Sequence, residues 1–238
     1  MAARLEWHTE IFGAETIQEL VEGIYDSRPA LARKILRSRI LTDREPTMAE
    51  KELVRVAAKR WSLTNGALPA PTHELRAPEL APPPELPEPW RPGTKIESSD
   101  RARELLSLLV ARTRRENLRY ASDRPVAAIL VAGDGTLLAA ELNTNARVRT
   151  RHAEMNLLLR RGAIPAGATL YVSLKPCAMC AARIWEEAQD LRRLKVVYFE
   201  DDPGKLARNT ILMRGSPARV RFLGKHHALY PLDVQSPA

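Results

Sequence analysis

The stretch from His152 to Cys180 constrains this chain more than any other. His152-Ala153-Glu154 is followed by Pro176-Cys177-Ala178-Met179-Cys180, with Pro176 22 positions beyond Glu154. A Cys-x-x-Cys pair taken alone fits a redox couple or half of a zinc site. The redox reading leaves His152 and Glu154 without a role. Zinc that supports hydrolysis takes three protein ligands and keeps one position open for water. His152, Cys177 and Cys180 supply three. Glu154 stands two residues past the histidine, close enough to face the same water as a proton carrier without being a ligand.

The intervening pattern agrees with that reading. Residues 152–161 read as a helix, with Met155, Leu157, Leu158 and Leu159 on a wide apolar face and Gly162 as its stop. Residues 168–174 read as a buried strand. Pro176 suits the first turn of a helix over residues 177–188. Both cysteines then sit at a helix N-terminus, one turn apart, where free N–H groups and the helix dipole favour thiolate. His152 opens its own helix. The bland alternative is a core histidine, a surface glutamate and a structural cysteine pair.

Around this stretch the pattern suggests an α/β class with two domains. Residues 1–66 read as a small helical domain. Ile17, Leu20, Val21 and Ile24 keep helical spacing, and Pro29 opens a second helix striped by Leu31, Ile35, Leu36 and Ile40. Thr47 and Glu50 have the form of a capping box ahead of Leu53, Val54, Ala57 and Trp61. This part carries 11 Lys/Arg against 10 Asp/Glu. It reads as a packing or dimerisation module, or, through Arg33, Lys34, Arg37 and Arg39, as a substrate-recognition domain. Residues 67–95 hold the proline cluster of residues 81–89 and read as a semi-rigid, polyproline-like linker, tacked down by Leu86 or Trp90. Residues 96–238 give a helix from Ser99 to about Asn117, a strand at 126–131, a turn at Gly133–Gly135, and a returning strand at 136–142. After the two metal-side helices come a strand at 194–199, a helix at 205–213 and a strand at 218–223. The order αββαβαβαβ predicts a mixed five-stranded sheet with helices on both faces.

The last 140 or so residues resemble the cytidine deaminase-like superfamily. His-x-Glu followed by Pro-Cys-x-x-Cys is the signature of zinc nucleobase deaminases. The run from Thr169 to Cys180, together with His152-Ala-Glu154, resembles the bacterial tRNA adenosine deaminases most closely. The resemblance implies a three-layer α/β/α fold. It implies Zn²⁺ on His152, Cys177 and Cys180, with Glu154 as catalytic proton shuttle. It also implies a substrate-contacting asparagine in the loop before the histidine, for which Asn143 is the candidate and Asn145 the alternative. The sequence departs from those relatives at Lys175, where they carry an acidic residue, and in the arginine-rich loop at 143–151. The resemblance does not reach residues 1–95.

Charge bears on the partner. The chain has a formal net charge of +8, and residues 96–238 carry 23 Lys/Arg against 15 Asp/Glu. Arg147, Arg149 and Arg151 lie just before the metal-side helix, where they can hold phosphates beside a flipped-out base. The expected partner is therefore nucleic acid, RNA (tRNA foremost) or single-stranded DNA; a free nucleobase, nucleoside or nucleotide is the second substrate class. A catalytically silent nucleic-acid-binding subunit with structural zinc is the third reading, and it leaves Glu154 unused. The two cysteines are both spent on the motif, so a reducing, cytoplasmic setting is expected. No apolar run approaches 18 residues and no signal-like N-terminus is seen, so no membrane partner is expected. A homodimer is expected by analogy alone.

Overall fold

A computed structural model of the chain describes residues 2–59, 63–113, 117–118, 124–202, 204–214 and 216–224. Trp61, His226 and His227 lie outside these residues. The chain separates into two compact units: Met1–Ala81 with Thr144–Arg151, and Pro82–Asn143 with His152–Ala238.

The N-terminal unit is α/β, not helical as residues 1–66 suggest. Strand β1 (Ala3–Trp7) and β2 (Glu10–Ala14) form an antiparallel hairpin. Its two-residue turn places His8 at a left-handed φ of 55°. Strand β3 (Ile40–Thr42) pairs antiparallel with β1, and β4 (Leu63–Asn65) pairs parallel with β3. The sheet order is β4-β3-β1-β2-β5, where β5 is His73–Glu74. These strands are two to five residues long. Period-two burial over such runs, with Ala3 and Leu5 inward and Arg4 and Glu6 outward, is too short to stand out beside the helices.

The helices of this unit form largely where their spacing predicts them. Helix α1 (Ile17–Ser27) and α3 (Met48–Ala58) each open with a capping box, Thr16 with Glu19 and Thr47 with Glu50. The Tyr25 hydroxyl donates to Ala57 O at 2.7 Å and joins the two helices. The second helix shrinks to one turn, α2 (Ala32–Ile35), and Ile40 starts β3 instead of ending a helix. Residues 67–81 are part of this unit, not linker. Thr72 Oγ1 accepts from Ile11 N at 2.8 Å, and β5 pairs with β2. Gly23 is required beneath them, because a Cβ there would stand 2.8 Å from Leu75 Cβ and 2.9 Å from Arg76 O.

The second unit holds a five-stranded mixed sheet of order β10-β9-β8-β6-β7. Its strands are β6 (Ala127–Val131), β7 (Leu137–Leu142), β8 (Thr169–Leu174), β9 (Lys195–Glu200) and β10 (Arg219–Phe222). Antiparallel pairs β7/β6 and β6/β8 adjoin parallel pairs β8/β9 and β9/β10. Helix α4 (Ser99–Ala111) covers one face. Helices α5 (Ala153–Arg161) and α6 (Ala178–Glu187) belong to the other. Strand β6 shows why three layers result. Ala127, Ile129 and Val131 pack in the core with α4, while Ala128 and Leu130 pack in the core with α5 and α6. A strand buried on both faces reads as an unbroken apolar run.

The proline-rich residues 82–95 belong to this unit. Trp90 is buried in the α4-side core, and Leu86 packs against that core. Past the prolines, backbone donors return: Gly93 N donates to Leu137 O at 2.9 Å and Ile96 N to Gly135 O at 2.8 Å. The helix expected at 205–213 is only a 3-10 turn, Lys205–Ala207, and Asn209 adopts a left-handed φ of 53° that ends it. Strands β9 and β10 nonetheless run parallel.

Candidate metal centre

Two helix starts build the site. His152 is the N-cap of α5, and Cys177 is the N-cap of α6. Both take extended backbone before the helix begins, with ψ of 160° and 173°. Cys180 lies one turn into α6, so its side chain returns to the face that Cys177 occupies. The apolar face of α5 (Ala153, Leu157, Leu158) and residues Ala181 and Ile184 of α6 share one core cluster. That packing fixes the two helix ends side by side.

The ligand-type atoms converge closely. Cys177 Sγ stands 3.6 Å from Cys180 Sγ, and His152 Nδ1 stands 3.5 Å from each sulfur. In a tetrahedral zinc site, with Zn–S about 2.3 Å and Zn–N about 2.0–2.1 Å, neighbouring ligand atoms are about 3.6–3.8 Å apart. The observed triangle fits zinc by distance and by donor chemistry. Among the described residues, these three are the group of side chains that can hold a metal ion in this way. The fourth tetrahedral position has no protein ligand in this set.

Glu154 is buried beside them at 3% exposure. Burial pushes its carboxyl up to about 7, while the neighbouring His152 pulls it down and Cys177 adds to the rise. A carboxyl poised there exchanges protons near neutral pH. The Cys177 thiol is held well below its ordinary value, chiefly by the hydrogen bond from Cys180 and then by His152.

The other residues singled out from sequence take different places. Asn143 is buried, and its side chain is tied to backbone at both ends. Its Oδ1 accepts from Val126 N at 2.8 Å, and its Nδ2 donates to Arg124 O at 3.1 Å. It therefore pins the approach to β6 to the end of β7. Asn145, Arg147, Arg149 and Arg151 fall in Thr144–Arg151, which groups with the N-terminal unit. Arg147 is exposed and pairs with Asp26, and Arg149 is half-buried. Arg151 is buried and taken up by Glu22 at 2.5 Å, with a second bond to Pro78 O at 2.8 Å. Lys175, the departure noted beside Pro176, pairs with Asp201 at 2.9 Å.

Two anchoring residues carry no motif and were not singled out. Asn156 Nδ2 donates to Leu142 O at 2.7 Å, tying α5 to β7. Glu141 of β7 is buried and meets Arg160 of α5. Each lies one helical turn or more from the motif and reads in sequence as an ordinary helix or strand polar residue. The buried neighbours on either side of Glu141, Ala140 and Leu142, gave a faint signal.

Residues 117–221 match the family model of the Bd3614-like deaminases. That segment is a cytidine deaminase-like domain. Among solved structures, the chain is similar to one from work on A-to-I editing by tRNA:A34 deaminases at the wobble position. The identity is 34%, over 33% of this chain and 62% of that one, with a TM-score of 0.27. It is also similar to RibD of Acinetobacter baumannii at 25% identity, over 51% of this chain and 34% of that one, with a TM-score of 0.39. The dCMP deaminase of cyanophage S-TIM5 is 20% identical, over 55% of this chain and 99% of that one, with a TM-score of 0.40. The chain thus spans 62% of the first of these structures and 34% of the second. No curated protein matches the chain in sequence. The deaminase-like domain supplies both helix starts of the metal centre, and the matched segment leaves the first 116 residues outside it.

Proposed function

We propose that the protein is a zinc-dependent hydrolytic deaminase acting on an adenine or cytosine base within nucleic acid, RNA (tRNA first) or single-stranded DNA. The observation that carries this is the triangle of His152, Cys177 and Cys180, with sides of 3.5–3.6 Å, beside buried Glu154.

Zinc held by the three ligands supplies the Lewis acidity that makes water a nucleophile near neutral pH. Glu154 takes the proton that water loses and delivers it to the ring nitrogen beside the amine-bearing carbon. A second transfer through Glu154 protonates the departing amine. The carbon–oxygen bond forms, the carbon–nitrogen bond breaks, and ammonia leaves, so water plus amine gives carbonyl plus ammonia. A carboxyl poised near 7 is matched to both halves of that exchange. The low exposure of Glu154 keeps bulk water from competing for the proton.

Three features support a polymeric substrate: the net charge of +8, the arginines of the 144–151 loop, and the similarity to the tRNA:A34 deaminase work. Asn143, Asn145, Arg147 and Arg149 are the proposed substrate contacts. Arg147 is reached by exchanging its exposed partner Asp26 for a phosphate. Arg151 stays in this assignment only as the buried end of that loop. A homodimer is part of the proposal by analogy. Among the described residues no helix is long and apolar enough to cross a membrane.

The test is incubation of purified, zinc-loaded protein with tRNA, single-stranded RNA and single-stranded DNA, followed by sequencing. A-to-G or C-to-T changes that vanish in Glu154→Gln support the reading. Ammonia release from free nucleosides or nucleotides, with no gain on polymer, moves the substrate to the small-molecule class. Cellular function unchanged by Glu154→Ala points to a silent binding subunit instead.

A further inference from the structure

The N-terminal unit has a segregated patch of positive charge. Between Arg28 and Thr42 there are five basic residues and no acidic one. Arg28 pairs with Glu10 at 2.9 Å. The other four, Arg33, Lys34, Arg37 and Arg39, meet no carboxylate among the described residues. Elsewhere in the same unit Arg4, Arg44, Lys51 and Arg55 each meet one. The unpaired cations are thus concentrated in one segment, beyond what arginine-rich composition alone would scatter.

Local structure presents them together. Helix α2 and the turn after it continue as overlapping backbone bonds, Arg37 N to Lys34 O at 3.2 Å and Ser38 N to Ile35 O at 2.9 Å. Arg33 and Arg37 are four apart, and Lys34 and Arg37 three apart, spacings that share a helix face. Like charges at such spacings repel, and nothing in the segment offsets them. The apolar residues between them, Ala32, Ile35, Leu36 and Ile40, are all buried. Lys34, Arg37 and Arg39 are exposed, and Arg33 is half-buried with its Nε–H lacking an acceptor. Arg39 Nε reaches only the Thr64 hydroxyl, at 3.3 Å.

We infer that this segment is a second nucleic-acid contact, in which Arg33, Lys34, Arg37 and Arg39 bind the phosphate backbone. The inference rests on the polymeric-substrate reading above and extends it to a unit outside the deaminase-like domain. Guanidinium forks match phosphate oxygens in pairs, and an uncompensated cation row neutralises successive phosphates. An anionic membrane is the other polyanion available. It fits less well, because the segment buries its apolar side chains and leaves only Leu31 among its large ones exposed.

The test uses the full, zinc-loaded chain and fluorescence anisotropy with two probes, a short single-stranded RNA and folded tRNA. The quadruple variant R33Q/K34Q/R37Q/R39Q is compared with R44Q/K51Q/R55Q, which removes paired cations. At about 0.1 M salt the patch variant binds at least about tenfold more weakly, and its salt slope is shallower by about 3 on single strands. The control variant changes neither. Unchanged affinity and slope in a patch variant that retains the wild-type melting temperature overturn the inference. Loss of binding to phosphatidylserine vesicles with RNA binding intact overturns it too, in favour of a membrane. If the quadruple variant does not fold, K34Q and R37Q singly each shift the slope by about 0.7; no shift in either overturns the inference. Binding is also read in Glu154→Gln, which turns nothing over. Patch-dependent binding there, without deamination by wild type, sinks the catalytic reading and leaves this one standing.

Discussion

Glu22 Oε2 lies 2.5 Å from Arg151 Nη2, and both side chains are buried within the N-terminal unit. Arg151 is the residue directly before the metal-site histidine in the chain. Glu22 also accepts from Thr150 Oγ1 at 3.1 Å and from Gln18 Nε2 at 2.5 Å. Burial pushes its carboxyl up, and Arg151 pulls it back down. Removing one partner strands the other charge without water. Arg151→Met alone therefore costs about 3–5 kcal/mol of stability. Glu22→Leu with Arg151→Met recovers most of it. Chemical denaturation of the three proteins checks this, and additive losses in the double variant would contradict it.

Metal content follows the two cysteines. Cys177→Ala or Cys180→Ala removes one of three ligands from a triangle that neighbouring side chains do not complete. Each variant is expected to lose bound zinc and to melt well below the wild type. Elemental analysis of the purified proteins checks it. One zinc per chain retained in either variant would show that the metal sits elsewhere.

Glu154 gives a pH dependence in the chelator-stripped protein. Its carboxyl lies at about 7, above its ordinary value near 4.5, with burial the largest cause. A raised carboxyl stabilises the fold in its neutral form. That stability is fully present below the unfolded value and is lost as pH rises through about 7. Glu154→Gln keeps a neutral side chain at every pH. Stripped Gln variant and wild type should match near pH 5, with the variant ahead by roughly 2–3 kcal/mol at pH 8. Denaturation midpoints across that range report it, and a constant difference would refute it.

Trp90 tests whether the proline-rich segment is part of the fold. It is 2% exposed and packs among Leu105, Leu106 and Leu109 of α4. Trp90→Ala should cost about 3–5 kcal/mol. A loss within about 0.5 kcal/mol, the scale of a surface change, would return the segment to a loose tether.

The catalytic half of this fold was legible because its signals are strong and local. Strand β6 is a continuous apolar run, and Pro176 marks a helix start that brings Cys177 and Cys180 onto one face. The half that failed did so for a physical reason. Strands β1 and β2 are five residues each, and β3 and β4 three each, short enough for the helical stripes of α1 and α3 to dominate the pattern. The prolines of residues 81–89 suggested a tether. Trp90 and the donors at Gly93 and Ile96 instead seat that stretch in the core. At the site, His152, Glu154, Cys177 and Cys180 were readable because the metal demands those types at that spacing. Asn156 and Glu141 were not, since a buried polar anchor is defined by its partner across space. Arg151 read as a phosphate contact, because nothing in the local sequence reveals that Glu22, 129 positions away, would claim it.

X-ray absorption at the zinc edge of the purified full chain tests the central claim most directly. The account predicts two sulfurs at about 2.3 Å, one imidazole nitrogen and one light oxygen ligand from solvent around a single zinc. A shell without sulfur, or a closed shell with no solvent oxygen, would contradict it.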